Sequence, residues 1–156
     1  AVSGELFPGR LLGVDHGLKV IGLALSDPTG LLARPLDLIR RTSKREDFAR
    51  INQVIAAHDV VAVVVGLPVS PPEITAYTQA DRVQLWASRL AAAVNVPVYL
   101  WNERYSTQEA EELLAEAGRE RPERIDAVAA AVILQEFLDA RRAGEPWPEP
   151  VAPARE

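Results

Sequence analysis

The chain has 156 residues, of which 48% are hydrophobic, and its net charge is −5 at neutral pH. A chain of this length is sufficient for one domain with a self-supporting core. It has no cysteine, which excludes disulfides and thiolate metal sites, so any bound metal must be held by oxygen atoms or by the two histidines.

Two apolar runs near the N-terminus predict a β-hairpin. Residues 11–14 form the first run, which ends at a turn signal over 15–17, and residues 20–25 form the second. The connection is too short for a parallel crossover, so the two strands must be antiparallel. A third strand is predicted over 31–39, where Pro35 suggests an edge strand or a bulge.

The rest of the chain alternates between helical and strand patterns. The predicted elements are a helix from the capping box at 43–46 to about His58, a strand over 60–65, a helix over 74–94, a strand over 96–101, and helices over 106–117 and 123–141. The continuous β-branched run at 60–65 is typical of a parallel strand covered on both faces. Residues 144–156 contain four prolines and predict a disordered tail, which leaves 1–143 as a single domain.

This order of elements brings the ends of three strands together. If the crossovers are right-handed, the strands that end at Asp15, Gly66 and Glu103 run parallel. Their carboxyl ends then lie at the same end of the sheet, where open α/β folds bind ligands. The sequence therefore predicts that Asp15 and Glu103 lie close together.

A third carboxylate, Asp126, belongs to the first turn of the last helix. Its position is on or beside an apolar stripe, which is marked by Ile125, Ala129, Val132 and Ile133. An unpaired charge there is costly, so a cation is expected to meet it. Mg²⁺ or Mn²⁺, as one ion or two, suits three converging carboxylates and would support hydrolysis of phosphodiester bonds.

Ordinary structural roles can also explain each of these acids. Asp15 can be a turn residue, Glu103 can pair with Arg104, and Asp126 can be an acid favoured by the dipole at a helix start. His16 is more often structural than catalytic in such a position, and Trp86 has the spacing of a core residue. The spacing alone leaves both interpretations open.

Four stretches carry a resemblance to a known family. They are GVDHGLKVIGLALSD at 13–27, VGLP at 65–68, WNERYST at 101–107 and IDAVAAAVILQEFL at 125–138. In this combination and order the chain resembles, from about residue 11 to 139, the YqgF/RuvX family of Holliday junction resolvases and pre-16S rRNA nucleases, within the RNase H-like superfamily.

The resemblance implies a fold, a site and an activity. The implied fold is an α/β, RNase H-like mixed sheet of five strands in the order 3-2-1-4-5, flanked by helices. Asp15, Glu103 and Asp126 fall on the acidic positions of the family's metal site. The implied activity is that of a metal-dependent endonuclease acting on structured RNA or branched DNA, either in pre-16S rRNA processing or in Holliday junction resolution.

Basic residues are unevenly distributed, although the chain as a whole is acidic. Residues 1–45 carry four acidic side chains against seven basic ones, which are Arg10, Lys19, Arg34, Arg40, Arg41, Lys44 and Arg45. A basic patch on an acidic protein can bind nucleic acid, but it can also be ordinary solvated surface. The residues predicted to contact nucleic acid are Lys19, Arg104, Arg119, Arg121 and Arg124.

Two other functions are compatible with parts of the sequence. A ribosome-associated or nucleic-acid-binding module with little catalysis is the main alternative, and an actin-like ATPase ranks last because that fold needs two such domains. No targeting or membrane-spanning segment is expected, so the protein is predicted to be cytoplasmic. The two-fold symmetry of a four-way junction makes a homodimer a further hypothesis.

Overall fold

The computed structural model describes residues 9–68, 79–102 and 125–155, together with residue 115. The strands are β1 (Arg10–His16), β2 (Val20–Ser26), β3 (Ala33–Arg40), β4 (Val60–Leu67) and β5 (Val98–Asn102), and the helices are α1 (Lys44–His58), α2 (Gln79–Ala93) and α3 (Ile125–Arg142). The helix predicted over 106–117 lies outside the described residues, apart from residue 115, and so does the segment 69–78 before α2.

The five strands form one mixed sheet in the order β3-β2-β1-β4-β5, which confirms the predicted order. β1 is antiparallel to β2 and parallel to β4, and β4 is parallel to β5. The strands β1, β4 and β5 therefore end together, at what is called below the carboxyl end of the sheet. β3 is an edge strand with the predicted irregularity at Pro35, because Leu23 pairs with Asp37 while Ala24 pairs with Pro35.

Helices cover both faces of this sheet. Alternation along β1 directs Leu12 and Val14 to the face covered by α1 and α2, and Leu11 to the face covered by α3. Both β1 and β4 are buried on the two faces, as the run of β-branched residues in β4 predicts. In the part of the chain that the structure describes, no helix combines the length and the hydropathy needed to cross a bilayer.

Local signals in the sequence explain the limits of α1. The hydroxyl of Ser43 accepts a hydrogen bond from the backbone N–H of Glu46 at 3.2 Å, which is the predicted N-terminal cap. The helix ends at Asp59, whose backbone is left-handed with φ 53°. Aspartate tolerates this conformation better than most residues with a side chain, and it turns the chain directly into β4.

The Pro-rich end of the chain differs from the predicted disordered tail. The Val151 N–H donates a hydrogen bond to the Val98 carbonyl at 2.7 Å, so the tail runs along β5. Trp147 packs its ring 5.3 Å from both Tyr99 and Phe137, measured between ring centroids. These contacts join the segment, for which the composition predicts disorder over 144–156, to β5 and α3, and an outer segment tolerates prolines because its N–H groups need not donate.

Candidate active site

Two glycines let α3 lie unusually close to the middle of the sheet. A β-carbon on Gly13 would lie 2.8 Å from the Leu134 β-carbon and 2.9 Å from the Ala130 carbonyl oxygen. A β-carbon on Gly22 would overlap the Asp126 carbonyl oxygen. Only glycine leaves room for this approach of helix backbone to strand backbone, which fixes the first turn of α3 above the β1–β2 pair.

The same contact brings Asp126 beside Asp15. Asp15 pairs with Gly22 across the hairpin, and residues directly opposite each other in an antiparallel pair point to the same face, with β-carbon positions about 4.5–5.5 Å apart. The β-carbon position of Gly22 is the place taken by the backbone of Asp126. Asp15 and the start of α3 therefore share the α3 face at the carboxyl end of the sheet.

The carboxylate of Asp126 lies against the loop that joins β1 to β2. Its Oδ1 is 3.8 Å from the position of a β-carbon on Gly17, the first residue of that loop. Burial raises the pKa of Asp126 above its ordinary value, and no basic side chain of the described residues lowers it. A partly desolvated carboxylate without a counter-charge is an energetic cost that a bound cation would remove.

The apolar stripe of α3 differs in one respect from the predicted one. Ile125 is 38% exposed, whereas Ala127, Ala130 and Leu134 are buried against the sheet. Because the sheet-facing stripe passes through Ala130 and Leu134, Asp126 lies at its start and points toward the sheet more directly than the spacing from Ile125 suggests. The periodicity did not reveal this, since alanine and isoleucine both count as apolar.

Several predicted site residues are not part of the described chain. These are Glu103, Arg104, Arg119, Arg121 and Arg124. Lys19 is described and exposed in the β1–β2 loop, where its carbonyl oxygen accepts a hydrogen bond from the Arg41 N–H at 2.9 Å. No group of three or more potential metal ligands occurs within the described ranges, which contain Asp15 and Asp126 but not Glu103.

His16 follows Asp15 but points to the opposite face of the sheet. It is 9% exposed, and its ring centroid lies 4.6 Å from that of Trp86 in the core under α2. Burial is the main cause that lowers the pKa of His16, and together with the neighbouring charges of Arg41 and Lys44 it brings this pKa to about 4. His16 is therefore uncharged at neutral pH and cannot act there as a cationic phosphate ligand.

A pocket beside His16 contains basic residues that the sequence analysis did not connect. Arg41 precedes α1 and Lys44 is its first residue, whereas Arg82 and Arg89 belong to α2. In the sequence, Arg41 and Lys44 stand out only as part of the basic excess near the N-terminus, and the α2 pair lies far from them along the chain. The seven-residue spacing of that pair places both on one side of the helix and could have indicated a shared surface.

Comparisons with known proteins identify the family of this chain and agree with its fold. The family model RuvX, described as Holliday junction resolvase, matches residues 9–140. A relative from Symbiobacterium thermophilum is 44% identical over 140 residues, which cover 88% of this chain and 96% of that protein. A relative from Thermoanaerobacter pseudethanolicus is 39% identical over 137 residues, covering 85% and 98%. Both carry the provisional name pre-16S rRNA nuclease.

A comparison with a solved structure supports the fold. T. thermophilus RuvC in complex with a Holliday junction substrate superposes with a TM-score of 0.59 at 20% identity, covering 91% of this chain and 99% of that one. At that identity the likeness concerns the fold, which is RNase H-like. The extent of the family match decides the assignment: the chain belongs to the RuvX family of Holliday junction resolvases and is a nuclease of RNase H-like fold.

Proposed function

We propose that this nuclease is an endonuclease that depends on Mg²⁺ or Mn²⁺ and cuts structured nucleic acid. One or two ions would be held by Asp15, Asp126 and Glu103. The substrate is either a ribosomal RNA precursor, as in the names of the sequence relatives, or a four-way DNA junction, as in the family description. The observation that carries the proposal is the position of the Asp126 carboxylate beside the strand end that bears Asp15.

The chemistry of the site fits a hard divalent cation. The donors are carboxylate oxygens, which Mg²⁺ and Mn²⁺ prefer, and the chain has no thiolate that would favour a softer metal. Burial desolvates the carboxylate of Asp126 and raises its pKa, and this carboxylate has no basic partner among the described residues. A cation held between Asp15 and Asp126 would offset this cost.

The chain's own groups have clear tasks in such a reaction. Asp15 is fixed by the end of a buried strand and Asp126 by the close contact of α3 with Gly22, so both carboxylates are held in place before substrate binds. Lys19 is exposed on the adjoining loop and can contact a phosphate oxygen. A divalent ion held by these carboxylates would supply a lower pKa for the attacking water and stabilisation of charge on the leaving oxygen.

A cleavage assay tests the proposal. The wild-type protein is incubated with a pre-16S rRNA fragment and with a four-way DNA junction, in Mg²⁺, in Mn²⁺ and in EDTA. We expect cleavage of one substrate in either metal and none in EDTA. Asp15→Asn and Asp126→Asn each remove a ligand charge with little change of shape, so both should lower the rate by about 100-fold or more.

Asp59→Asn is the matched control for these variants. Asp59 is exposed at the amino end of β4, opposite the carboxyl end of the sheet, and asparagine also tolerates its left-handed backbone. This variant should cleave like the wild type. If the wild type and Asp15→Asn were equally inert on both substrates in metal and yet bound them tightly, the protein would be a binding module and the catalytic proposal would fail.

The assembly of the enzyme is a separate part of the proposal. A four-way junction has two-fold symmetry, and two active sites related by a two-fold axis would cut it symmetrically. We therefore propose a homodimer on junction DNA. Sedimentation of the protein with a junction should give two chains for each junction, and a single chain for each junction at saturation would rule the dimer out.

A further inference from the structure

A pocket of about 280 Å³ opens at the carboxyl end of the sheet, on the face opposite Asp15 and Asp126. It lies between the β1–β2 loop, the start of α1 and the exposed side of α2. Four basic side chains line it, namely Arg41, Lys44, Arg82 and Arg89, and no carboxylate does among the described residues. In a chain of net charge −5 this is a marked local excess of positive charge, which would attract anions.

The positive charges of Arg41, Lys44 and Arg89 are poorly neutralised by the described residues. Arg41 donates hydrogen bonds to the carbonyl oxygens of Gly17 at 3.0 Å and Leu18 at 3.1 Å, which use its N–H groups without cancelling its charge. Lys44 and Arg89 are exposed, and neither forms an ion pair within the described residues. Several cations held near one another without carboxylates are expected to bind an external anion.

An acid near the pocket is already engaged elsewhere. Asp47 is 2% exposed in the first turn of α1, and its carboxylate accepts hydrogen bonds from the N–H and the hydroxyl of Thr42. The negative charge of this buried carboxylate offsets part of the positive potential of the four basic residues. Because it does not line the pocket, it leaves the opening to the cations.

The floor and the margin of the pocket also suit a nucleotide. The floor is formed by Trp86, which is 2% exposed, and by His16, and the ring nitrogens of both have no hydrogen-bond partner in the described part of the chain. Buried polar atoms in this state are a cost that a ligand or its ordered water can relieve. The margin carries two exposed leucines, Leu18 and Leu85, which offer apolar contact to a sugar or base.

The two faces of the sheet meet at one loop, residues 17–19. On one face the carboxylate of Asp126 approaches Gly17, and on the other Arg41 holds the carbonyl oxygens of Gly17 and Leu18. A polynucleotide that crosses this loop would pass from the acidic pair to the basic pocket. Successive backbone phosphates make such a ligand long enough to reach both.

We propose that the basic pocket holds a backbone phosphate of the same nucleic acid whose scissile bond lies at Asp15 and Asp126, so that the substrate straddles the 17–19 loop. This inference rests on the proposed endonuclease function. The pocket acts as a positioning site, because it fixes the strand at a distance from the reacting bond and reads charge rather than sequence.

The test measures binding without cleavage, in EDTA, by fluorescence anisotropy with a labelled junction and a labelled RNA precursor. Lys44→Gln and Arg89→Gln, combined in one protein, should weaken binding by about tenfold for each charge removed. They should also reduce the slope of log K against log salt by about one, since the pocket holds one phosphate and each phosphate contact contributes about one. Both positions are exposed, so the fold should be retained, and a thermal melt checks this.

Two controls separate the pocket from general charge effects. Arg34→Gln removes a charge from an exposed position on β3 at the other end of the sheet and should leave the affinity and the salt slope almost unchanged. Lys44→Arg keeps the charge and should bind like the wild type. Equal losses for Arg34→Gln and for Arg89→Gln alone would overturn the inference, and so would wild-type binding by the double variant.

Failure of the pocket proposal can be distinguished from failure of the metal-site proposal. If the double variant loses binding while the wild type fails to cleave in metal, the pocket binds nucleic acid, but the endonuclease proposal fails and the positioning role of the pocket fails with it. If cleavage depends on Asp15 but the double variant binds normally, the endonuclease proposal stands and the pocket fails. Tight binding of a mononucleotide alone, lost in the double variant, would assign the pocket to a free nucleotide and also overturn the inference.

Discussion

The carbonyl oxygen of Asp126 occupies the place where a β-carbon on Gly22 would stand. This contact fixes the height of α3 above the sheet, and it brings the Asp126 carboxylate to the strand pair that bears Asp15. The geometry of the proposed metal site therefore depends on a residue that has no side chain. A helix displaced outward by one methyl group would carry its carboxylate away from Asp15.

Substitution of Gly22 tests this dependence. Gly22→Ala should destabilise the protein by about 1–3 kcal/mol, because the added methyl group overlaps helix backbone that cannot rotate away. Urea denaturation measures the loss, and the cleavage rate should fall as well. Gly9→Ala is the matched control, since its methyl group would meet only the Val61 side chain at 2.9 Å. Equal stability of Gly22→Ala and wild type would show that α3 does not rest on this glycine.

The ionised carboxylate of Asp126 should lower the stability of the folded protein when no metal is present. Burial raises its folded pKa above the ordinary 3.8, so the ionised carboxylate destabilises the native state at pH 7. Stability is recovered as the pH falls through the raised folded pKa toward the unfolded value. In EDTA at pH 7, Asp126→Asn should melt at or above the wild-type temperature, and this advantage should vanish near pH 3 to 4, at about the unfolded pKa. A lower melting temperature at pH 7 would mean that the charge already has a stabilising partner.

Asp27 is expected to behave in the opposite way. Burial raises its pKa, but hydrogen bonds from the N–H groups of Leu32, Thr29 and Leu31 and from the Thr29 hydroxyl outweigh burial and lower the pKa to about 2. The ionised form thus stabilises the β2–β3 turn above the unfolded pKa, and this contribution is lost as the pH falls toward 2. Asp27→Asn should cost about 1 kcal/mol at pH 7 and almost nothing at pH 2, measured in urea. A cost that did not change with pH would contradict this account of the turn.

The C-terminal segment should contribute to stability through one aromatic residue. Trp147 packs against Tyr99 and Phe137, and it anchors the strand-like contact that Val151 makes with β5. Trp147→Ala should lower the free energy of unfolding by about 2 kcal/mol, less than a fully buried tryptophan would, because the ring is partly exposed. Its exposed neighbour provides the control, as Glu149→Ala should have almost no effect. Equal stabilities of the two variants would indicate that the segment is not anchored.

Much of the fold follows from local patterns in the sequence. The short link after Asp15 requires a hairpin, and the β-branched run from Val60 requires a strand buried on two faces. These two features predict a hairpin joined to parallel strands with a shared carboxyl end, whereas the order of the five strands was implied by the family resemblance. The approach of Asp126 to that end was also predicted, from an acid at the start of an apolar helix.

Features that depend on contacts between distant segments could not be predicted in this way. The basic pocket joins Arg41 and Lys44 to Arg89, and no pattern within either segment indicates the other. The role of Gly22 becomes clear only when α3 is placed on the sheet. Composition suggested disorder for the C-terminal segment, because it does not show the contacts of Trp147 with Tyr99 or of Val151 with Val98.

The most direct test of the central claim is calorimetric titration of Mn²⁺ into the protein without nucleic acid. The account predicts binding of one or two ions to the wild type and to Asp59→Asn. It also predicts affinity at least about tenfold weaker for Asp126→Asn and Asp15→Asn, because each loses a charged ligand. Failure of the wild type to bind Mn²⁺ at millimolar concentration, or equal affinity of all four proteins, would contradict the claim that these two carboxylates hold a common cation.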